Sequence, residues 1–275
     1  MKVFVGTLHS GEAEFEACCE SVRGQQNVEV YHHVISGLPQ KEAHAALLGD
    51  WNEAAPAYDI FVKVDADTIL QTPMTLFEIG TLLKSHSGPS VVQIPLQDYF
   101  TDKPILGLNA FSTEIRFDSE LDARFTDRAG FTPAYRFAAA EYRHLMPVGL
   151  HGKCPHFAQA FFFGLHRMQK KQYGTFSQVA RAWNRLGGTG REHALYGAVA
   201  ALCCPLLPPD YSPDFRFFQN RYEENPFLRK RLRNILPLFY FMGDAPRLRR
   251  GMGKLLCDII LPRLFAPYFL WAQKL

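Results

Sequence analysis

The sequence has no Cys-x-x-Cys pair. Its six cysteines fall as two adjacent pairs, Cys18-Cys19 and Cys203-Cys204, with Cys154 and Cys257 standing apart. That spacing excludes a paired zinc framework and shows no disulfide pattern, which favours a reducing compartment. Phe15, Cys18, Cys19 and Val22 recur at helical spacing, so the first pair reads as small buried hydrophobes. Long apolar runs are missing too: none reaches the roughly 20 residues of a membrane-spanning helix. No leader pattern opens the chain, since Met1-Lys2-Val3-Phe4-Val5 reads directly as a strand. There is no internal repeat and no low-complexity tract. Charged residues are 21% and hydrophobic residues 47% of 275, which excludes a disordered chain and allows a full core.

What charge there is lies unevenly. Residues 221–275 hold eleven Lys/Arg against four Asp/Glu, a net of +7, which leaves −4 for the rest of a chain whose total is +3. An acidic body with a basic tail follows. With no recognised binding motif, that balance argues against nucleic acid as a partner. In the tail, Arg229-Lys230-Arg231-Leu232-Arg233 and Arg247-Leu248-Arg249-Arg250 flank Phe239-Tyr240-Phe241. The stretch from Leu255 to Trp271 is apolar but broken by Asp258, Pro262, Arg263 and Pro267. Leu255, Ile259, Leu264, Phe269 and Trp271 beside basic residues fit an interfacial contact with anionic lipid, or a tail packed on the body.

Along the first half, strand and helix patterns alternate. Strands are predicted at Val3–Leu8, Val28–Ser36, 59–65 and Ser90–Pro95. Helices are predicted at 12–23, with Ser10 as cap, at Gln40–Trp51, and from Thr72-Pro73 onward. This order predicts an α/β fold with a mainly parallel sheet covered by helices. From 106 to 151 the pattern is irregular and strand-like, with runs at Leu108–Phe117 and Leu145–Leu150. Helices are then predicted at Pro155–Lys171, Phe176–Leu186 and Glu192–Cys204. The Pro-rich run Cys204–Pro209 marks the predicted boundary between a catalytic domain, 1–204, and a helical tail, 205–275.

The sharpest motif is Asp59-Ile60-Phe61-Val62-Lys63-Val64-Asp65-Ala66-Asp67-Thr68. An apolar run ends in carboxylates spaced i, i+2, which a continuous strand would place on one face. Parallel sheets bind ligands at the carboxyl ends of their strands, and paired carboxylates there suit Mg²⁺ or Mn²⁺. A polar strand-to-loop turn has the same composition.

Together, Val3-Phe4-Val5-Gly6-Thr7-Leu8, the Gln25 region, Val34-Ile35-Ser36-Gly37 and Phe61–Asp67 resemble a GT-A fold glycosyltransferase. The resemblance is to a small family-2-like bacterial or phage enzyme and covers roughly residues 1–200. It implies a Rossmann-like GT-A sheet flanked by helices, with a helical C-terminal appendage. It also implies a cation, Mn²⁺ or Mg²⁺, held against the diphosphate of a nucleotide sugar by Asp67, with Asp65 at the metal or the ribose. The sugar would pass to a glycan or glycolipid acceptor. A later histidine often completes such metal sites. His151, in His151-Gly152-Lys153-Cys154-Pro155, follows a predicted strand and is similar to the His-x-x-Gly-x-x-Lys-Pro element of glycogenin-like enzymes, at shorter spacing. As a loop residue it would carry no role. His156 and His166 are the fallbacks, and His156 also stands where a helix N-terminus meets phosphates. In the loop after the first strand, Thr7 and Glu12 are placed at the nucleotide, although Glu12 also suits a helix start. Lys63 would meet a phosphate or pair with a carboxylate.

For the base that deprotonates the acceptor, the resemblance points to Gly190-Arg191-Glu192-His193, and so to Glu192, with Asp127 and Glu141 behind it. Thr189-Gly190-Arg191-Glu192 is equally a capping box, and a retaining reaction needs no such base. The rival reading is a haloacid-dehalogenase-type phosphohydrolase, in which Asp65 would be nucleophile and Asp67 general acid/base. Against it, two strand–helix units precede the motif, and Gly243-Asp244 lacks a second acid. The setting implied is cytoplasmic, or peripheral on the inner membrane through the tail.

Overall fold

The computed structural model describes residues 1–85, 90–119, 130–132, 146–203 and 215–241. Its contacts divide into two units, one of 1–99 with 103–154 and one of 100–102 with 155 onward. The expected boundary at 204–205 lies in 204–214, outside the described residues.

The first unit is built from β1 (Lys2–His9), α1 (Phe15–Arg23), β2 (Glu29–Ser36), α2 (Gln40–Ala54), β3 (Ile60–Lys63) and β4 (Thr68–Leu70). These are followed by α3 (Thr75–Lys84), β5 (Val91–Asp98), β6 (Lys103–Ser112) and β9 (Gly149–His151), with a two-stranded ribbon of β7 (Arg116–Phe117) and β8 (Phe131–Thr132). The main sheet runs β2-β1-β3-β6-β5-β9-β4. β2, β1, β3, β5 and β9 point one way; β6 and β4 point the other. This is the α/β, Rossmann-like GT-A arrangement. Alternation along the strands covers both faces. Val3, Val5, Ile60 and Val62 pack with Cys18 and Val22 of α1 and Leu76, Ile79 and Leu83 of α3. Phe4 and Phe61 face the other way, onto Leu47, Leu48 and Trp51 of α2.

Three local features differ from the sequence expectation, each because hydrogen bonds override the pattern. β3 stops at Lys63, so Asp65 and Asp67 lie in a turn that the Thr68 N–H closes onto the Asp65 carbonyl at 2.8 Å. The strand-face argument for their common orientation therefore does not apply. The chain re-enters the sheet at once as β4, a three-residue strand too short to show a period. And α1 starts at Phe15 rather than 12 with Glu14, not Ser10, at its N-cap, while the Ser10 N–H donates to Glu12 Oε2 at 2.7 Å.

The second unit contains α4 (Phe157–Gln169), α5 (Tyr173–Leu186), α6 (Thr189–Cys203), α7 (Phe215–Glu224) and α8 (Pro226–Phe241). The described part of the appendage is thus helical. Phe218, Tyr222, Leu228 and Leu232 of α7 and α8 are buried. α4 and α6 cross with almost no side chain between them. A Cβ on Gly164 would lie 1.7 Å from the Ala194 carbonyl oxygen, and one on Gly197 would lie 2.0 Å from that of Phe161.

Candidate active site

Because β1, β3, β5 and β9 point the same way, their carboxyl ends share one edge of the sheet. His9, Lys63, Asp98 and His151 are the last residues of these strands. Sheet register then makes neighbours of residues far apart in sequence. His151 pairs with Asp98 across the parallel β5–β9 contact and with Thr68 across the antiparallel β4–β9 contact. Directly paired residues present side chains to the same face.

His151 Nδ1 lies 2.8 Å from Asp98 Oδ1, and Nε2 lies 3.6 Å from Asp67 Oδ2. The Asp98 side chain is 1% exposed and the imidazole 11%. Burial opposes charge on the ring, but Asp67, Asp98 and Asp65 outweigh it and push His151 up to about 9. The backbone is fixed as well. Gly152, at φ +64, donates its N–H to the Asp67 carbonyl at 3.0 Å, and the Tyr99 N–H donates to the His151 carbonyl at 3.0 Å. A side chain at Gly152 would be strained there. Beyond it, the Cys154 N–H donates to Glu14 Oε1 at 2.5 Å.

Asp65 is engaged differently. Lys63 Nζ donates to its Oδ1. Burial resists ionisation of this carboxyl, yet the Lys63 ammonium, helped by His151 and His44, holds it below the ordinary carboxylate value. Glu12 is shifted the other way: burial raises it and the charge on Asp67 adds to this, against hydrogen bonds from backbone N–H groups. Asp67 thus acts electrostatically on both Glu12 and His151.

Thr7 is placed inside the fold rather than on the rim. It is fully buried, its hydroxyl donates to the Val64 carbonyl at 2.9 Å, and it accepts from His32 Nε2 at 2.9 Å. It anchors the backbone leading into the aspartate turn. Sequence reasoning missed Asp98, Thr68 and His44. His44, on α2, is buried with Nδ1 2.8 Å from the Gln40 carbonyl. It sits one position from the apolar Ala43 in the periodic pattern, and nothing in the sequence separates it from core.

Among the described residues, no three His, Cys, Asp or Glu side chains form a ready-made cation cage. Asp67 and His151 nevertheless fit a cation that takes its remaining ligands from a diphosphate. Two ligands of one ion at about 2.1 Å each lie within about 4.2 Å of one another. The Thr68 hydroxyl, 1% exposed and in register with His151, has no hydrogen-bond partner among the described residues. A buried orphan of this kind marks an edge built for a polar guest.

No family model and no curated protein matches this chain. Among solved structures, residues 1–349 of S. aureus TarS align over 99% of this chain and 92% of their own, at 10% identity and a TM-score of 0.37. At that score the likeness establishes nothing further about the chain.

The remaining predicted site residues belong to the second unit or lie outside the described residues. His156 is the N-cap of α4, where its Nδ1 accepts the Gln159 N–H at 3.2 Å. His166 stacks on Phe162 within the same helix. Glu192 is buried on α6, with the Tyr222 hydroxyl bonded to its carboxylate and Arg233 3.5 Å from Oε2. Oε1 has no partner among the described residues. The capping-box geometry is thus not adopted; the carboxylate faces α7 and α8. Burial, with this hydrogen bond and the charge on Glu192, drives the Tyr222 hydroxyl far up, so it stays a donor. Asp127 and Glu141 lie outside the described residues.

Proposed function

We propose that the chain is a metal-dependent glycosyltransferase. It would take a sugar from a nucleotide-diphosphate donor and pass it to a glycan or glycolipid. The observation that carries this reading is the Asp67–His151 pair, facing across 3.6 Å at the carboxyl edge of a GT-A sheet, with Asp65 on the same turn. Asp67 and His151 would hold Mn²⁺ or Mg²⁺. When bound, such an ion supplies Lewis-acid neutralisation of charge on the departing diphosphate.

The chain's own residues divide the rest of the work. Lys63 keeps Asp65 ionised and oriented, leaving its second oxygen for a ribose hydroxyl or a metal-bound water. Glu12, in the loop that follows β1 at the same sheet edge, would be a donor contact. In the reaction, the acceptor oxygen forms its bond to the anomeric carbon as the bond to the diphosphate oxygen breaks. The acceptor proton then requires a base. Glu192 is the residue to which the sequence resemblance assigns that role.

The test is binding of UDP or GDP with Mn²⁺ to the parent chain and to Asp67→Ala and Asp65→Ala. Asp67→Ala should abolish metal-dependent binding with the fold intact, and Asp65→Ala should be nearly as damaging. Parent-like binding by both variants removes the assignment. Release of phosphate from phosphoesters, without turnover of any nucleotide sugar, would favour the phosphohydrolase alternative.

A further inference from the structure

Asp98 terminates a strand whose Val91, Val92, Ile94 and Leu96 are all buried, and it is itself 1% exposed. Burying a carboxylate costs several kcal/mol unless strong partners meet it. An apolar residue would satisfy the alternation of β5 equally well. What the position does offer is register. Asp98 is the direct partner of His151 across the parallel pairing, and its Oδ1 is 2.8 Å from Nδ1 of that ring. On the opposite side of the ring, Nε2 faces Asp67 Oδ2.

A carboxylate only accepts hydrogen bonds. Against Asp98, Nδ1 must therefore keep its proton, so the lone pair that the neutral ring can offer is the one on Nε2. The ring is also held in its plane, since rotation would break the 2.8 Å contact. Pinning one ring nitrogen on a carboxylate is a general way to orient a metal-binding histidine and raise its basicity. We propose that Asp98 is a positioning residue for His151. It holds the proton on Nδ1 and presents Nε2, together with Asp67, to a divalent cation. This rests on the metal-site reading above.

Asp98→Asn replaces the carboxylate with a group that donates as readily as it accepts, at unchanged size. Two readouts on the full chain separate positioning from a structural role at the strand end. The first is Mn²⁺ binding in the presence of UDP or GDP, which supplies the ligands the two side chains do not, measured by electron paramagnetic resonance. The parent should bind, and Asp98→Asn should bind about 10–100-fold more weakly. The second needs no metal: ¹⁵N shifts of the His151 ring at pH 10 should report the Nδ1–H tautomer in the parent and a mixture in Asp98→Asn. Should Asp98→Asn fail to fold, Asp98→Glu serves instead. It keeps the charge but moves the carboxylate one methylene out of register, and it should also weaken Mn²⁺ binding. A parent that binds no Mn²⁺ overturns the metal-site reading and this proposal with it. A parent that binds, with a folded Asp98 variant within twofold of it, overturns this proposal alone. A parent ring in the Nε2–H tautomer does the same.

Discussion

The two aspartates of the turn do different things because their neighbours differ. Asp65 has a lysine two residues before it and is neutralised locally. Asp67 has an imidazole, which the fold delivers from residue 151. The metal-free protein thus holds His151 as an imidazolium among Asp67, Asp98 and Asp65, at about 9 against an ordinary value of 6.5. The folded state binds this proton more tightly than the unfolded chain does. The resulting stability is fully present below pH 6.5 and is lost as pH rises through 9. Spread over that window it amounts to about 3 kcal/mol at most. Urea unfolding in chelator from pH 6 to 10 should show the decline, and His151→Ala should flatten it. A decline of the same size in His151→Ala would show that another group is responsible. Asp65 and Asp67 stood out in the sequence because an apolar run ends in two acids, and His151 because it follows a predicted strand. Asp98, Thr68 and His44 did not. Their roles come from register and burial, and register between β5, β9 and β4 has no signature along the chain.

Among the elements, the strongly periodic ones were legible: β1, β2, α2, α4 and α5 fall close to their expected spans. β4 was not, since three residues carry no period and its pairing with β9 is what makes it a strand. The α4–α6 crossing was equally hidden, because Gly164 and Gly197 look in sequence like weak points of otherwise good helices. In the fold they are where two backbones touch. Gly→Ala in a helix ordinarily gains about 1 kcal/mol from propensity. Here the added methyl overlaps a carbonyl oxygen, and forcing the helices apart costs about 2–3 kcal/mol or more. Gly164→Ala and Gly197→Ala should each lower the melting temperature by several degrees. Gly174→Ala, with open space around it, should not. Equal melting of all three would mean that the crossing is looser than described.

For the molecule as a whole, the basic tail raised the question of a lipid surface. Residues 242–275 lie outside the described residues, and with them Leu255, Ile259, Leu264, Phe269 and Trp271. No described helix is long and apolar enough to cross a membrane. α7 and α8 are partly core: Leu228 and Leu232 are each 2% exposed, and Tyr222 and Arg233 meet Glu192. Deleting 229–275 would therefore damage the helical unit along with any lipid contact. Substitutions are the cleaner probe. Phe227 is 74% exposed on α8 beside exposed Lys230. If α8 meets an anionic surface, Lys230→Glu with Phe227→Ala should cut liposome sedimentation at unchanged melting temperature. Each charge is worth about 1 kcal/mol, less in salt. Unchanged sedimentation of the double variant would remove α8 from any such contact.

The bond from Cys154 to Glu14 spans 140 positions. β9 comes last in the chain among the described strands of the main sheet and is inserted between β5 and β4, which precede it by some fifty to eighty residues. Contacts that close loops this long form late, after local helices and the β1–β2–β3 pairings are available. During synthesis, a chain that ends before residue 151 already contains both turn aspartates but no imidazole to set between them. A nascent chain therefore cannot form the candidate cation site until residues 149–154 are available to pair with β5 and β4.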